Sequence, residues 1–408
     1  MPARSSSPIP AVLAKLGPLE PDTIADLHPY LDSVPDPRSR RGRWYPLAAI
    51  LLVCACATLS GARSIDELAE WGHRAGAEIL EAVEVRRHLL RWRTSPSRAT
   101  IGRVLERLDG DALDAAIGAY LADRHRAEAD NSGTRPPRRI IAVDGKALKG
   151  SARLDQRRRH LLSALTHSPP ATLAQAEVGA KTNETACFKP LLAPLDLAGD
   201  VITFDALHTV QEHAKWLVKT KRAHYIAVIK SNQPIAHAQI SALPWNEIPI
   251  ANTASETGHG RRESRSIKTM AVADNLGGLT FPEAKLALRV HRRRKAIGKP
   301  ETRETVYAVT SLDAHQATPA DLALWIRGHW TIENSSHHIR DVTFGEDAST
   351  VHAGTAPRAM ATFRNLAIGA LKILGATNIA KTTRAIGAEP ERALPILGIN
   401  RQPSTSRT

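Results

Sequence analysis

Two aspartates in this chain of 408 residues stand where apolar runs give way to polar sequence. Asp144 closes Arg139-Ile-Ile-Ala-Val143 and is followed by Gly145-Lys146, and Asp205 closes Val201-Ile-Thr-Phe204. Short runs of this kind, rich in β-branched residues, predict strands, and a carboxylate at a strand end lies where a substrate can reach it. Carboxylates at neighbouring strand ends would lie a few Å apart, and their repulsion raises one pKa unless a cation sits between them. Mg²⁺ suits such a pair because it takes a few carboxylate oxygens and fills its shell with water and substrate phosphate. Asp is also a common turn residue, so the pairing in β-α order carries more weight than either residue alone.

Other chemistries find less support. There is no Gly-x-Ser-x-Gly elbow, and the three cysteines, Cys54, Cys56 and Cys187, are too few for a disulfide framework. His329-x3-Glu333-x3-His337 would put two imidazoles and a carboxylate on one helix face, but it lacks the His-Glu-x-x-His spacing that sets a base beside zinc. The net charge of +14 points to a polyanionic partner, because clustered Lys and Arg displace counterions from nucleic acid. The long apolar run, residues 47–59, is far short of the roughly 20 residues a spanning helix needs. No secretory signal is visible at the N-terminus, and the cytoplasm is the expected location.

Around the aspartates the pattern changes along the chain. Helical periodicity over 46–60, 64–82 and 100–121 predicts an all-α N-terminal domain, residues 1–123, with Ser64 and Ser97 as helix caps. A basic run, Asp36-Pro-Arg-Ser-Arg-Arg-Gly-Arg43, precedes these helices and reads equally as a solvated loop or a DNA contact. Residues 124–138 look like a linker. Strands are expected at 139–144, 161–165, 172–178, 201–205 and 225–229, with helices at 184–195 and 210–221. The order β-β-β-α-β-α-β is that of an RNase H-like α/β domain, here residues 139–374. A strand-rich block over about 248–311 interrupts it before a helix over 319–340 and another over 356–374, and residues 375–408 are expected to be a loose tail.

Several blocks together resemble the DDE transposases of bacterial insertion sequences, in the branch of the H-repeat-associated proteins. They are Ile141-Ala-Val-Asp-Gly-Lys146 with Lys149-Gly-Ser151, Lys181-Thr-Asn-Glu184, Phe204-Asp-Ala206, Lys230-Ser-Asn-Gln233 and Gly328-His-Trp-Thr-Ile-Glu-Asn334. An early segment, from Val34-Pro-Asp-Pro-Arg38 to Gly61-Ala-Arg63, is similar too, so the likeness covers about residues 31–374. It implies Asp144, Asp205 and Glu333 as catalytic metal ligands. Asp341, Glu346 and Asp347 are rivals of Glu333, but they lie at or beyond a helix end near Gly345. The three carboxylates would hold two Mg²⁺ ions, with Mn²⁺ as a substitute, for strand cleavage and strand transfer at element ends.

The implied partner is double-stranded DNA, both terminal inverted repeats and target, in the nucleoid, with assembly of several copies on DNA as a further expectation. Candidate DNA contacts are Lys146, Lys149, Lys230, Asn232, His329, His337, Arg340, Arg292 and Arg293. Helical spacing sets His329, Glu333, His337 and Arg340 on one face. Arg340 there reads either as a guanidinium forked onto phosphate or as an exposed helix-end cation favoured by the helix dipole. The wider family's aromatic and arginine positions before the glutamate hold Ile326 and His329 here. A DNA-binding protein that has lost catalysis, and a nuclease without strand transfer, are the alternative functions.

Overall fold

The computed structural model describes residues 25–88, 92–131, 138–152, 158–179, 183–258, 260–272 and 279–399. In chain order it has helices α1 (His28–Asp32), α2 (Leu47–Leu59), α3 (Ile65–Arg74), α4 (Ala77–Ala82), α5 (Arg98–Arg107) and α6 (Gly110–Asn131). Strands β1 (Ile140–Leu148), β2 (Arg159–Thr166) and β3 (Thr172–Val178) follow, then α7 (Glu184–Leu192), β4 (Val201–Phe204), α8 (Gln211–Lys219), β5 (His224–Ile229) and α9 (Pro234–Ser241). Four more strands, β6 (Asn252–Gly258), β7 (Arg261–Ala271), β8 (Leu286–Ala296) and β9 (Thr302–Thr310), precede α10 (Pro319–Ile332). A π-helical turn, Glu333–His337, leads into α11 (His338–Val342), and α12 (Ala356–Ile373), α13 (Ile379–Ala388) and α14 (Ala393–Ile396) complete the described chain. Among the described residues no helix is long and apolar enough to cross a membrane.

The chain divides into two compact units. The first comprises Met1–Pro136, Lys146–Ala180 and Glu333–Thr408. Its centre is α2, which is apolar on every side and buried at all 13 positions, as an all-round hydrophobic helix must be. Helices α1, α3, α12 and α13 pack around it. Every residue of α12 except Lys372 is buried, including Arg358, Thr362, Arg364 and Asn365. Polar groups this deep need partners. Arg358 pairs with Asp114 at 2.7 Å, and Gln175 of β3 bonds both Asp114 and Asn365 at 3.0 and 2.9 Å, so the network fixes α6, β3 and α12 in register.

The second unit comprises Pro137–Gly145 and Lys181–Ile332. Its sheet runs β1-β4-β5-β9-β8-β7-β6, with β1, β4 and β5 parallel and the rest antiparallel. The expected insertion thus lengthens the sheet from β5 outward. Thr318 and Asp321 close a capping box that starts α10. Leu322 and Ile326 then bury against Val201, Ile226, Leu288 and Val290. Strand β6 ends the order, and all its residues after Asn252 are exposed.

The structure departs from the sequence expectations at identifiable places. Ser64 and Ser97 do cap α3 and α5, accepting from the amides of Glu67 and Thr100. The expected helix over 64–82 breaks at Ala75 and Gly76, both extended, and that over 100–121 breaks at Leu108, where Asp109 restarts the helix by accepting from the amides of Asp111 and Ala112. Residues 124–131 of the expected linker belong to α6, because Arg124 is buried and donates to Tyr120 Oη at 3.0 Å and to the Ile396 carbonyl at 2.6 Å. Residues 132–137 lie outside the described residues. The expected loose tail folds instead, since Ile379, Ile386, Leu394, Ile396 and Leu397 all join the core around α2. Helix α9 was not expected from the pattern, and strand β6 falls within the strand-rich block although its polar residues show no clear alternation.

Gly118 lets α6 lie against β3, because a Cβ there would come within 2.2 Å of the Leu173 carbonyl oxygen. In an exposed helix Gly→Ala stabilises by about 1 kcal/mol, but here the clash is with backbone and must reverse the sign. Gly118→Ala should lower stability by about 1–3 kcal/mol in a denaturant titration. A variant as stable as the parent would show that α6 and β3 have room to part.

Candidate active site

Parallel pairing of β1 with β4 brings the two aspartates together. The register ends at Val143↔Phe204, and the next residue on each strand is Asp144 and Asp205. Adjacent strands lie about 4.8 Å apart, so the two carboxylates start from neighbouring backbone positions. Both are partly exposed. Contrary to expectation, β1 does not stop at Asp144 but continues to Leu148. β4 does stop, and Asp205 Oδ1 accepts from the amides of Leu207 and His208 at 3.0 and 3.3 Å, which turns the chain away from the sheet.

The loop after Asp205 is held from several sides. Thr209 donates to the Val228 carbonyl at 2.8 Å, Gln233 donates to the Thr209 carbonyl at 2.8 Å, and Asn232 donates to the Ala206 carbonyl. Asn232, expected to touch DNA, thus spends its amide on this loop, while Lys230 is exposed at the end of β5. His208, buried at 1% exposure, shares a 3.2 Å hydrogen bond with Glu184 at the start of α7. Lys181 and Thr182 of the same motif lie outside the described residues. These supports were missed in the sequence, where His208 and Glu184 are far apart and neither follows a metal-ligand spacing.

His329 of α10 is buried with Nδ1 3.2 Å from Thr203 Oγ1, two residues before Asp205. Burial pushes its imidazole down to about 4, although the charge of Asp205 opposes the shift. It is a neutral side chain that pins α10 to β4, one turn before Glu333.

Glu333 is exposed and opens the π turn. The extra residue in that turn carries later side chains off the face that 3.6-residue spacing predicts, and π turns recur at functional sites. Arg340 is the consequence. It is 1% exposed and pairs with Glu346 at 2.8 Å, while Arg364 of α12 holds the same carboxylate at 3.0 Å. Neither expectation for Arg340, a phosphate fork or a surface cap, matches a guanidinium locked in the core. Burial would raise the Glu346 carboxyl, but the two guanidiniums outweigh it and hold it below the usual range. Burial with the charges of Arg340 and Lys146 pushes the His337 imidazole down to about 3, so it too is neutral near pH 7.

The rivals of Glu333 are all occupied. Glu346 is committed to the arginines, Asp341 pairs with Lys146 at 2.7 Å and Asp347 with Lys149 at 2.6 Å. Lys146 is itself 8% exposed, so of the three lysines expected at DNA only Lys149 and Lys230 are at the surface. Among the described residues no three His, Cys, Asp or Glu side chains are gathered as a metal cage, neither His329, Glu333 and His337 nor Asp144, Asp205 and Glu333. Asp144 and Asp205 form a pair of hard oxygen donors, the kind Mg²⁺ or Mn²⁺ takes.

Strand alternation sorts the basic residues of β7 and β8. On one face Arg292 pairs with Glu263 at 3.0 Å, and Glu263 also binds Arg265, so these charges are compensated. The other face carries Ser264, Ser266 and Lys268 of β7 opposite Arg293, His291 and Arg289 of β8. They line a groove of about 400 Å³ with no carboxylate among its lining residues. Arg293 lies in this open groove, and its neighbour Arg292 belongs to the opposite face.

Comparison with known proteins adds to this geometry. A family model described as Transposase DDE domain matches residues 135–369, and one described as DDE_Tnp_1-associated matches residues 28–121. "Putative transposase YncI" of Escherichia coli O157:H7 is 27% identical, over 86% of this chain and 88% of its own length. "H repeat-associated putative transposase YhhI" of E. coli strain K12 is 27% identical, over 85% of this chain and 90% of its own. Among solved structures, a piggyBac transposase synaptic complex with hairpin DNA is similar with a TM-score of 0.39 and 11% identity, over 88% of this chain and 73% of that chain.

His329 and His337 set a pH dependence. Between the ordinary imidazole value of about 6.5 and the folded values, the unfolded chain binds protons at these two sites that the folded chain does not, so their contribution to stability falls as pH falls, while Asp114, whose carboxyl burial raises to about 6, works in the opposite direction. Thermal unfolding should show a melting temperature that declines from about pH 6.5 downward, with Glu346 adding to the loss below the usual carboxylate range. His337→Gln should make the decline shallower. A decline that is the same in the parent and in His337→Gln would mean that the His337 imidazole accepts a proton in the folded chain.

Proposed function

Because the chain belongs to the DDE transposase family, in its H-repeat-associated branch, we propose that it cuts and rejoins DNA strands with Asp144, Asp205 and Glu333 as the ligands of two divalent metal ions. The observation that carries this reading is the β1/β4 register, which sets Asp144 beside Asp205. Of Glu333 and its rivals Asp341, Glu346 and Asp347, Glu333 alone has no cation partner among the described ion pairs, and α10 is tied to β4 through His329 and Thr203. Within the second unit, the parallel strands β1, β4 and β5 joined through helices support an RNase H-like reading of the sheet.

Ions held there would activate a water or a DNA 3′-hydroxyl and steady the leaving oxygen of an in-line phosphodiester displacement. The protein's own part is to present carboxylate oxygens from a rigid sheet and to hold the Asp205 loop still through Thr209, Asn232 and Gln233. His329, buried against Thr203, positions α10, and His337, neutral near pH 7, adds no charge there. Affinity for duplex DNA comes from the cations of the open groove, with exposed Arg293 and half-buried Arg289 as contacts, while Lys268 donates to the Trp245 carbonyl and Arg292 is a structural residue.

Asp144→Asn, Asp205→Asn and Glu333→Gln should each lower Mg²⁺-dependent cleavage and joining of element-end duplexes by at least about a hundredfold and leave binding within about threefold. A variant that still cleaves within about tenfold of the parent removes that residue from the site. Cleavage by the parent with no joining would make the protein a nuclease alone.

Arg289→Ala and Arg293→Ala should each weaken duplex binding on every sequence tried and reduce the log-log salt slope by about 1. Arg292→Ala should leave that slope unchanged. The opposite pattern would place the DNA on the other face of the sheet.

A further inference from the structure

The first unit carries an arrangement that neither the carboxylates nor the groove explains. Trp44 and Trp92 are 45% and 49% exposed, whereas Trp71 of the same unit is 8% exposed and donates its indole N–H to Ser60 Oγ at 3.0 Å. The two exposed indoles are joined through His88. Its ring stacks on Trp92 with centroids 4.4 Å apart and planes 16° from parallel, and meets Trp44 at 5.9 Å. Arg86 lies over the other indole, its Cζ 4.9 Å from the Trp44 ring centroid.

Backbone and ion pairs hold the ladder in place. The His88 amide donates to the Trp92 carbonyl at 2.8 Å, and Arg93 donates to the Val85 carbonyl at 2.6 Å while pairing with Glu81. On the Trp44 side, Asp36 takes up Arg38 and Arg43. Arg40 and Arg41 remain exposed on the short turn Arg40–Gly42 and make no ion pair among the described residues. The basic run before the first long helix is therefore split, with two arginines fixing the loop and two facing solvent beside an aromatic surface.

We infer that unit 1 carries a stacking platform for unpaired DNA bases, built from Trp44, His88 and Trp92 and flanked by Arg40, Arg41 and Arg86. It rests on the proposal that DNA is the partner. Half-exposed indole faces offer π surfaces, and exposed arginines beside them attract phosphate, the combination that single-strand recognition uses. A paired duplex hides its base faces in the stack. Only unpaired bases, such as those at a cut or frayed end, present a face to the platform.

Fluorescence anisotropy with the full chain tests this, using a labelled thymidine single strand and an abasic strand of the same length and charge. The parent should bind the thymidine strand at least about fivefold more tightly. Trp44→Ala and Trp92→Leu should each remove most of that preference and leave abasic binding unchanged, and Trp44→Phe, which keeps a ring, should retain it. Circular dichroism melting checks that each variant folds, and the Phe and Leu variants keep the test open if Ala does not. Equal affinity for the two strands in the parent, or a preference untouched by the variants, would overturn the inference. So would variants that change only the sedimentation of the protein, which would make the surface a contact between copies. Cleavage in Mg²⁺ without a base preference overturns the platform alone, and a base preference without cleavage overturns the catalytic proposal alone.

Discussion

Two negative charges on adjacent strands are the constraint around which the second unit is arranged. The β1/β4 pairing is favourable for the backbone, yet it carries Asp144 and Asp205 to neighbouring positions where like charges repel. The sheet tolerates this because hydrogen bonding in the strands and the apolar packing of Val201, Ile226, Leu288 and Leu322 are secured elsewhere. The cost falls on two partly solvated carboxylates, and a cation bound between them would relieve it. Local charge conflict within a fully bonded scaffold is how functional sites depart from the most stable sequence.

The sequence was legible where one physical signal dominated. Apolar runs gave the strand that ends before Asp205 and the start of the one that carries Asp144, though not its continuation to Leu148, and the run Thr172–Val178 gave a strand with those same bounds. Capping serines marked two helix starts, because a side-chain oxygen on an orphan amide is a local event. The ladder's order was not legible beyond β5. Strand β6 has the composition of a loop, and only its pairing with β7 makes it a strand. The carboxylate pair was foreseen, whereas the fixing of its loop by Asn232 and Gln233 depends on contacts no spacing encodes.

Arg340 shows most clearly where spacing fails. Counting seven residues on from Glu333 gives the same face of a regular α-helix, but one π turn changes the count. The displaced guanidinium meets Glu346 and Arg364 in the core instead of solvent. A buried pair of this kind costs desolvation and adds little net stability, yet losing one partner strands the others. Its effect is to fix where the chain after Glu333 can go. A residue that looked like a ligand contact therefore acts on the glutamate through the backbone.

The polar outer strand of the second unit has a further meaning. A strand with no neighbour on one side presents unsatisfied amides and carbonyls that invite any other extended chain to add itself. Strand β6, Asn-Thr-Ala-Ser-Glu-Thr-Gly, gives such a chain little to hold, for it is short, exposed and has no large apolar side chain to interdigitate. Its Glu256 is drawn instead to Arg327 of α10. An edge so poor in apolar side chains offers a second copy of the chain little reason to extend the sheet.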